Sequence, residues 1–222
     1  HLPRRVGSSE FCFQLLSGLS KLETTSEFIT YLPIDKLYDL PVASAKWRYR
    51  IIKTKKLWTM LGLSHYFLKH KKSIDVFFSP THYMPLYIPA PAVISILDLS
   101  YLYFPELFKK KDLYQLKLWG KLSLRQAKAI ITISESSKND IIKEYKVSPN
   151  KVYVVPVGIK EIKEETKNME ELSIKYSIKS PFILFVGTLQ PRKNVAKLIE
   201  AFSHLKDDKL ELVIIGKKGW MY

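Results

Sequence analysis

The chain has 222 residues, 46% hydrophobic and 26% charged, with one cysteine, Cys12, and a net charge of +15. This is a globular composition, long enough for one large domain or one and a half ordinary ones. It excludes an internal disulfide framework and suits a reducing compartment. No apolar run approaches the length of a membrane span and the start shows no signal-peptide pattern, so a cytoplasmic, non-integral protein is expected. The excess of positive charge favours a polyanionic neighbour: nucleic acid, an acidic membrane surface or anionic substrates. No RNA-recognition signature or zinc-ligand spacing accompanies it.

In chain order, a helix is expected over Ser8–Leu22, with Phe11, Leu15, Leu16, Leu19 and Leu22 on one face. Gly7, Ser8 and Ser9 form its entrance, and an ordinary N-cap by Ser8 or Ser9 would account for them. An α/β domain normally opens with a strand, so a short N-terminal piece is expected to be missing. Glu27–Leu32 reads as a strand and Pro33 to Ala45 as a loop. Lys46 to Lys72 is basic and aromatic, holding Trp47, Tyr49, Trp58, Leu61, Tyr66 and Phe67 among many Lys and Arg. It admits two readings: an amphipathic helix lying on an anionic membrane, or one or two domain helices with a lysine-rich outer side. Gly62 is a point of interruption.

Ile74–Ser79 and Ala92–Ile96 read as strands. The loop after the first, Pro80 to Pro85, would lie at the carboxyl end of a parallel sheet, where α/β ligands bind. His82 is therefore a candidate cleft residue, or simply a solvated loop histidine. A helix over Lys111–Ala127, a strand over Ala129–Ile133 and a helix capped by Ser134 follow, then a strand over Val152–Val155. Gly158 marks the exit from this first domain, residues 1–158. Residues 159–180 read as a charged interdomain linker with a short helix around Met169–Tyr176.

Phe182–Val186 has the apolar run of a strand buried on both faces. Gly187 permits a tight turn, and Pro191, Arg192 and Lys193 lead into a helix with Asn194 as its expected N-cap. Val195, Leu198, Ile199, Phe202 and Leu205 give that helix one apolar face, and Leu210–Ile215 closes a β-α-β unit. Arg192 and Lys193 thus sit where helix N–H groups and the helix dipole already favour an anion, although such cations are also common as solvated surface charges. Neither a Walker loop nor a G-x-G-x-x-G fingerprint is present.

The stretch Phe185 to Asn194 with Leu198 to Phe202, then Val213 to Trp220, closely resembles the opening of the second domain of glycosyltransferase family 4. Leu97 to Glu106 and Thr132 to Ile141 resemble the family's first domain. The resemblance implies the two-domain GT-B architecture: a Rossmann-like doubly wound N-terminal domain and the start of a second one, residues 181–222. It implies retaining transfer of a mannose-like or glucose-like hexose from a nucleotide-diphosphate sugar to a hydroxyl of a glycan or lipid-linked acceptor. The setting it implies is cell-surface glycan or glycolipid assembly, with no metal required.

On the same resemblance, Gly187, Arg192 and Lys193 would bind the donor diphosphate, and Asp98 would face the cleft as a catalytic candidate. Gly7, Ser9, His82, Ser134 and Gly158 are candidate cleft-loop residues, with Ser134 either capping its helix or touching the acceptor. The chain departs from the family pattern at Ser9, where a second glycine is usual, and at Leu97, where a histidine precedes the Asp. The family's two donor-contacting glutamates would fall beyond Tyr222, so these 222 residues alone are expected to transfer sugar poorly or not at all. A different class of function is a non-catalytic module that binds an acceptor or an anionic membrane. Nucleic-acid binding through charge alone ranks last, since no base-stacking platform is visible.

Overall fold

The computed structural model describes residues 7–35, 39–54, 57–71, 74–158, 169–178 and 181–219. The chain divides into two compact units, His1–Gly158 and Ile159–Tyr222. Much of the segment read as linker, residues 159–168 and 179–180, lies outside the described residues.

The first unit starts with α1 (Ser8–Leu19), then β1 (Phe28–Leu32) and β2 (Trp47–Ile51), which pair in parallel from Phe28↔Trp47 to Leu32↔Ile51. A π-helical turn, Trp58–Gly62, runs straight into α2 (Leu63–Lys69). Next come β3 (Phe77–Ser79), β4 (Ala92–Ser95), the short α3 (Ser100–Tyr103), α4 (Lys110–Gln126), β5 (Ala129–Thr132), α5 (Glu135–Tyr145) and β6 (Val152–Val154). These last four strands form one parallel sheet in the order β3-β4-β5-β6. Sequential parallel strands joined by helices are the Rossmann-like pattern expected from the alternation of elements.

Two expectations need correction here. The basic stretch Lys46–Lys72 is not helical throughout, because its first part is β2. Trp-Arg-Tyr-Arg-Ile alternates bulky apolar and charged side chains, which is a strand period. Trp47 is buried and stacks on Phe28 at 4.9 Å, while Arg48 is exposed and pairs with Glu27. Helix begins only past Leu57, itself held in the left-handed region at φ 51. Neither Ser8 nor Ser9 occupies the capping position of α1, which falls to Gly7 at φ 51, ψ −117, a conformation that suits a residue without Cβ.

The core of this unit lies where α4 packs on β4 and α5 on β5 and β6. Ile94, Ile96, Leu124, Ile130 and Ile141 are essentially fully buried there. Phe67 on α2 has no exposed surface and joins the two sheets: its ring is 5.3 Å from Tyr31 of β1 and 5.7 Å from Phe77 of β3, both edge-on. Gly62 allows the preceding loop to cross this helix, since a Cβ there would stand 2.7 Å from Thr54 Oγ1.

The second unit comprises α6 (Met169–Tyr176), β7 (Phe182–Val186), α7 (Val195–Ser203) and β8 (Glu211–Ile215), with β7 and β8 parallel. β7 is not buried on both faces as its sequence predicts: Leu184 and Val186 are exposed. Among the described residues this unit has two helices for two strands, too little to cover both faces of a sheet.

Truncating Phe67 should remove the tie between the sheets. Phe67→Ala is expected to cost about 3–5 kcal/mol, read as a lowered urea midpoint in tryptophan fluorescence. A loss below about 1 kcal/mol would show that the sheets do not depend on this ring.

Candidate functional site

Parallel strands send all their carboxyl ends to one edge of a sheet, and three adjacent loops of the first unit leave that edge carrying named candidates. His82 follows β3, Asp98 follows β4 and Ser134 follows β5. The structure brings them together through the turn at residues 97–100. His82 Nε2 is 3.3 Å from the Asp98 carbonyl oxygen. A carbonyl only accepts, so Nε2 carries the proton and Nδ1 is left as the acceptor of the neutral ring. Burial pushes the His82 pKa below its ordinary value, against the opposing pull of the Asp98 carbonyl and carboxylate.

From the other side, Ser137 Oγ donates to the Leu97 carbonyl at 3.1 Å. Ser134 Oγ donates to Ser137 Oγ at 3.1 Å and accepts the Ser137 N–H at 3.1 Å, which caps α5. The Asp98 carboxylate is exposed, and its Oδ1 accepts the N–H of Ser100 at 3.0 Å and its hydroxyl at 2.6 Å, opening α3. The turn carrying Asp98 is therefore held by β3's loop, by α5 and by its own carboxylate. Sequence reasoning gives Ser137 no role. Its position in the S-x-x-S pattern that begins with the cap Ser134 was the available signal.

Below this turn, Tyr101 and Tyr145 share a hydrogen bond of 2.6 Å, and burial pushes both phenols up. Tyr103 donates to Asp140 at 2.8 Å and to Glu144 at 3.3 Å; the hydrogen bond to Asp140 is the chief reason its pKa is pushed up to about 12. α3 is thus fastened to α5 along its length. Gly7 and Ser9 begin α1, and one turn further on Cys12 Sγ donates to the Pro80 carbonyl at 3.5 Å, so α1 touches the loop that carries His82. Gly158 is exposed at the end of the unit and joins none of these contacts.

In the second unit, Gly187 follows β7, and its N–H donates to the Ile215 carbonyl at 2.9 Å. A Cβ on Gly216 would stand 1.8 Å from the Gly187 carbonyl oxygen, so the two loops approach each other only because glycine occupies Gly216. Pro191–Lys193 is a single 3-10 turn that places the Arg192 and Lys193 side chains in solvent ahead of α7. Asn194 stands at the N-cap of α7, but in the left-handed conformation at φ 50 and without a side-chain capping bond. The expected side-chain cap is therefore absent: Asn194 serves as a left-handed corner between the two helical turns. Gln190, just ahead of the cations, is buried, and its Oε1 finds no donor among the described residues.

Among the described residues no group of three His, Cys, Asp or Glu side chains converges, and no helix is long and apolar enough to cross a membrane.

A Rossmann-like unit with candidate residues on the carboxyl edge, followed by a β-turn-α element bearing two cations, defines an α/β protein of the GT-B glycosyltransferase type. Residues 7–161 match Glycosyltransferase Family 4 and residues 164–221 match Glycosyl transferases group 1. The chain belongs to glycosyltransferase family 4. It is 25% identical over 151 residues to O-antigen chain mannosyltransferase B of Escherichia coli, covering 65% of this chain and 39% of that protein. It is 35% identical over 98 residues to the N-acetylgalactosamine-N,N'-diacetylbacillosaminyl-diphospho-undecaprenol 4-alpha-N-acetylgalactosaminyltransferase of Campylobacter jejuni, covering 43% of this chain and 26% of that one. It is 25% identical over 127 residues to O-antigen chain mannosyltransferase RfbU of Salmonella typhimurium, covering 57% of this chain and 33% of the relative. The chain therefore spans well under half the length of these relatives.

The lowered pKa of His82 has a signed consequence. Its unfolded value is the ordinary 6.5, so just below that pH the unfolded chain holds more protons than the folded one. Stability should fall as pH drops through 6.5 and level off below the folded value. His82→Gln keeps a donor for the Asp98 carbonyl and should flatten that slope in urea titrations. A ring proton signal of His82 titrating at or above the ordinary value would contradict the assignment.

Proposed function

We propose that this chain is part of a retaining glycosyltransferase that moves a hexose from a nucleotide-diphosphate sugar to a hydroxyl of a glycan or lipid-linked acceptor, at the cytoplasmic side of the cell. The observation that carries the reading is the pair Arg192 and Lys193, held in solvent on the turn that opens α7, inside a stretch matching Glycosyl transferases group 1. The mannosyl and N-acetylgalactosaminyl transfers named for the relatives support a hexose donor, and the diphospho-undecaprenol in one name supports a lipid-linked acceptor.

Transfer requires the bond between the anomeric carbon and the diphosphate to weaken while negative charge grows on the leaving oxygens. Arg192 and Lys193 would take up that charge, with the backbone N–H groups that open α7 behind them and no metal needed. Gly187 and Gly216 would keep the floor of the site free of side chains. On the acceptor side, the held turn would present the Asp98 carboxylate and the His82 ring beside it to a sugar hydroxyl. The Leu97 side chain offers no hydrogen bond where the family has a histidine, which favours a second reading, a non-catalytic binding module.

Calorimetric titration with GDP and UDP tests the diphosphate site directly. Joint Arg192→Ala and Lys193→Ala should weaken nucleotide binding at least about tenfold, as expected for loss of charge-assisted contacts. Unchanged affinity for both nucleotides in that variant would overturn the assignment. Binding of neither nucleotide by the parent chain would favour the binding module.

A further inference from the structure

The loop that carries His82 is fastened on both sides of that residue by buried serines. Ser79 ends β3 and is 4% exposed. Its hydroxyl donates to the Tyr83 carbonyl at 2.6 Å, which closes residues 79–83 into one small circuit with His82 inside it. Ser123 lies on α4 and is 2% exposed. Its Oγ accepts the Met84 N–H at 2.9 Å. A buried main-chain N–H left without a partner is costly, and Ser123 supplies that partner to Met84. The Tyr83 ring meets Trp119 edge-on at 5.8 Å, one turn before Ser123 on the same helix.

Both links bear on the imidazole between them. Its Nε2 meets the Asp98 carbonyl, and its ring stands edge-on to Tyr101 with the centroids 6.5 Å apart. Tyr101 is itself buried and bonded to Tyr145. Nδ1 is the ring atom left over by the bond to Asp98. The charge that acts on the ring is the Asp98 carboxylate, at the end of the neighbouring strand. An unprotonated ring nitrogen and a carboxylate are both acceptors. An edge that presents the two together suits a ligand bringing hydrogen-bond donors, such as the hydroxyls of a sugar, and disfavours a phosphate.

We infer that Ser79 and Ser123 are positioning residues for His82, holding its ring so that Nδ1 stays available to a hydroxyl of the ligand. The part given to the hydroxyl rests on the glycosyl-transfer reading proposed for the chain; the positioning does not. Each serine acts through the main chain beside the ring, one on the Tyr83 carbonyl and one on the Met84 N–H. A ring fixed in this way meets a ligand without first losing freedom of its own. Ser64 on α2 is the contrast. Its Oγ accepts the Tyr87 N–H at 3.1 Å in the same connection, but five residues beyond His82 and past the buried Met84 and Pro85.

The test follows the His82 ring signals by NMR through a pH titration of the 222-residue chain, with His82→Gln identifying them. In the parent the midpoint should lie below the ordinary 6.5, because the held ring is desolvated. Joint Ser79→Ala and Ser123→Ala should let the loop carry the ring into water and return the midpoint to the ordinary value, with an unchanged circular dichroism spectrum. Each single variant should give part of the same rise, and the two singles replace the double variant if it does not fold. Ser64→Ala should lower the urea midpoint, as a lost buried bond does, yet leave the His82 titration where the parent has it. Serine variants whose His82 titrates as in the parent overturn the inference. So does an equal rise in Ser64→Ala, which would make any loosening of this connection sufficient. The titration needs no sugar, so absence of sugar transfer or of nucleotide binding leaves its outcome untouched.

Discussion

The parallel pairing of β3, β4 and β5 is the constraint on which the first unit depends. Parallel strands cannot be joined by tight hairpins, so each must be left and re-entered by a crossover that starts at the same edge. Phe77↔Ala92, Val93↔Ala129 and Ile130↔Val152 fix that common direction. Three loops distant in sequence then emerge side by side, and the chemistry-bearing residues follow from where the loops emerge. Had any one strand run the other way, His82, Asp98 and Ser134 could not share an edge.

Once the loops are adjacent, short-range polar contacts hold their geometry. The turn at residues 97–100 is clamped by an imidazole from one neighbour and a hydroxyl from the other, while its own carboxylate pins the next backbone N–H. Each bond alone is modest. Together they leave the turn few alternatives and hold the Asp98 carboxylate against the start of α3. The tyrosines of α3 extend the same fastening to α5. A hydroxyl that looks like an ordinary helix cap, Ser134, is thereby part of the support for Asp98.

The basic aromatic stretch shows how two structural roles can hide in one composition. Its first part is strand and its last part helix, and the two use their aromatic residues differently. Trp47 fills space against Phe28, whereas Phe67 spans from β1 to β3 and unites two sheets that share no backbone hydrogen bonds. The positive charge lies outside both because the inner positions are already taken by apolar side chains. That division leaves Leu61 of the π-turn and Leu68 of α2 half exposed.

Local pattern by itself determined the strand and helix alternation, the α/β class and the turn at Arg192 and Lys193. Those features rest on nearest-neighbour sterics, periodicity and glycine or proline positions, all of which are written along the chain. It also determined that His82, Asp98 and Ser134 would lie at strand ends. Only the tertiary structure decided that Trp47–Ile51 is a strand, because that depends on Phe28–Leu32 offering a parallel edge across an intervening loop. Only it decided that His82 and Ser137 hold the backbone of Asp98 and Leu97, since hydrogen bonds between residues sixteen and forty positions apart have no periodicity to read. The exposure of Leu61 and Leu68 was decided the same way: which side of a helix faces water is set by what the other side finds to pack against.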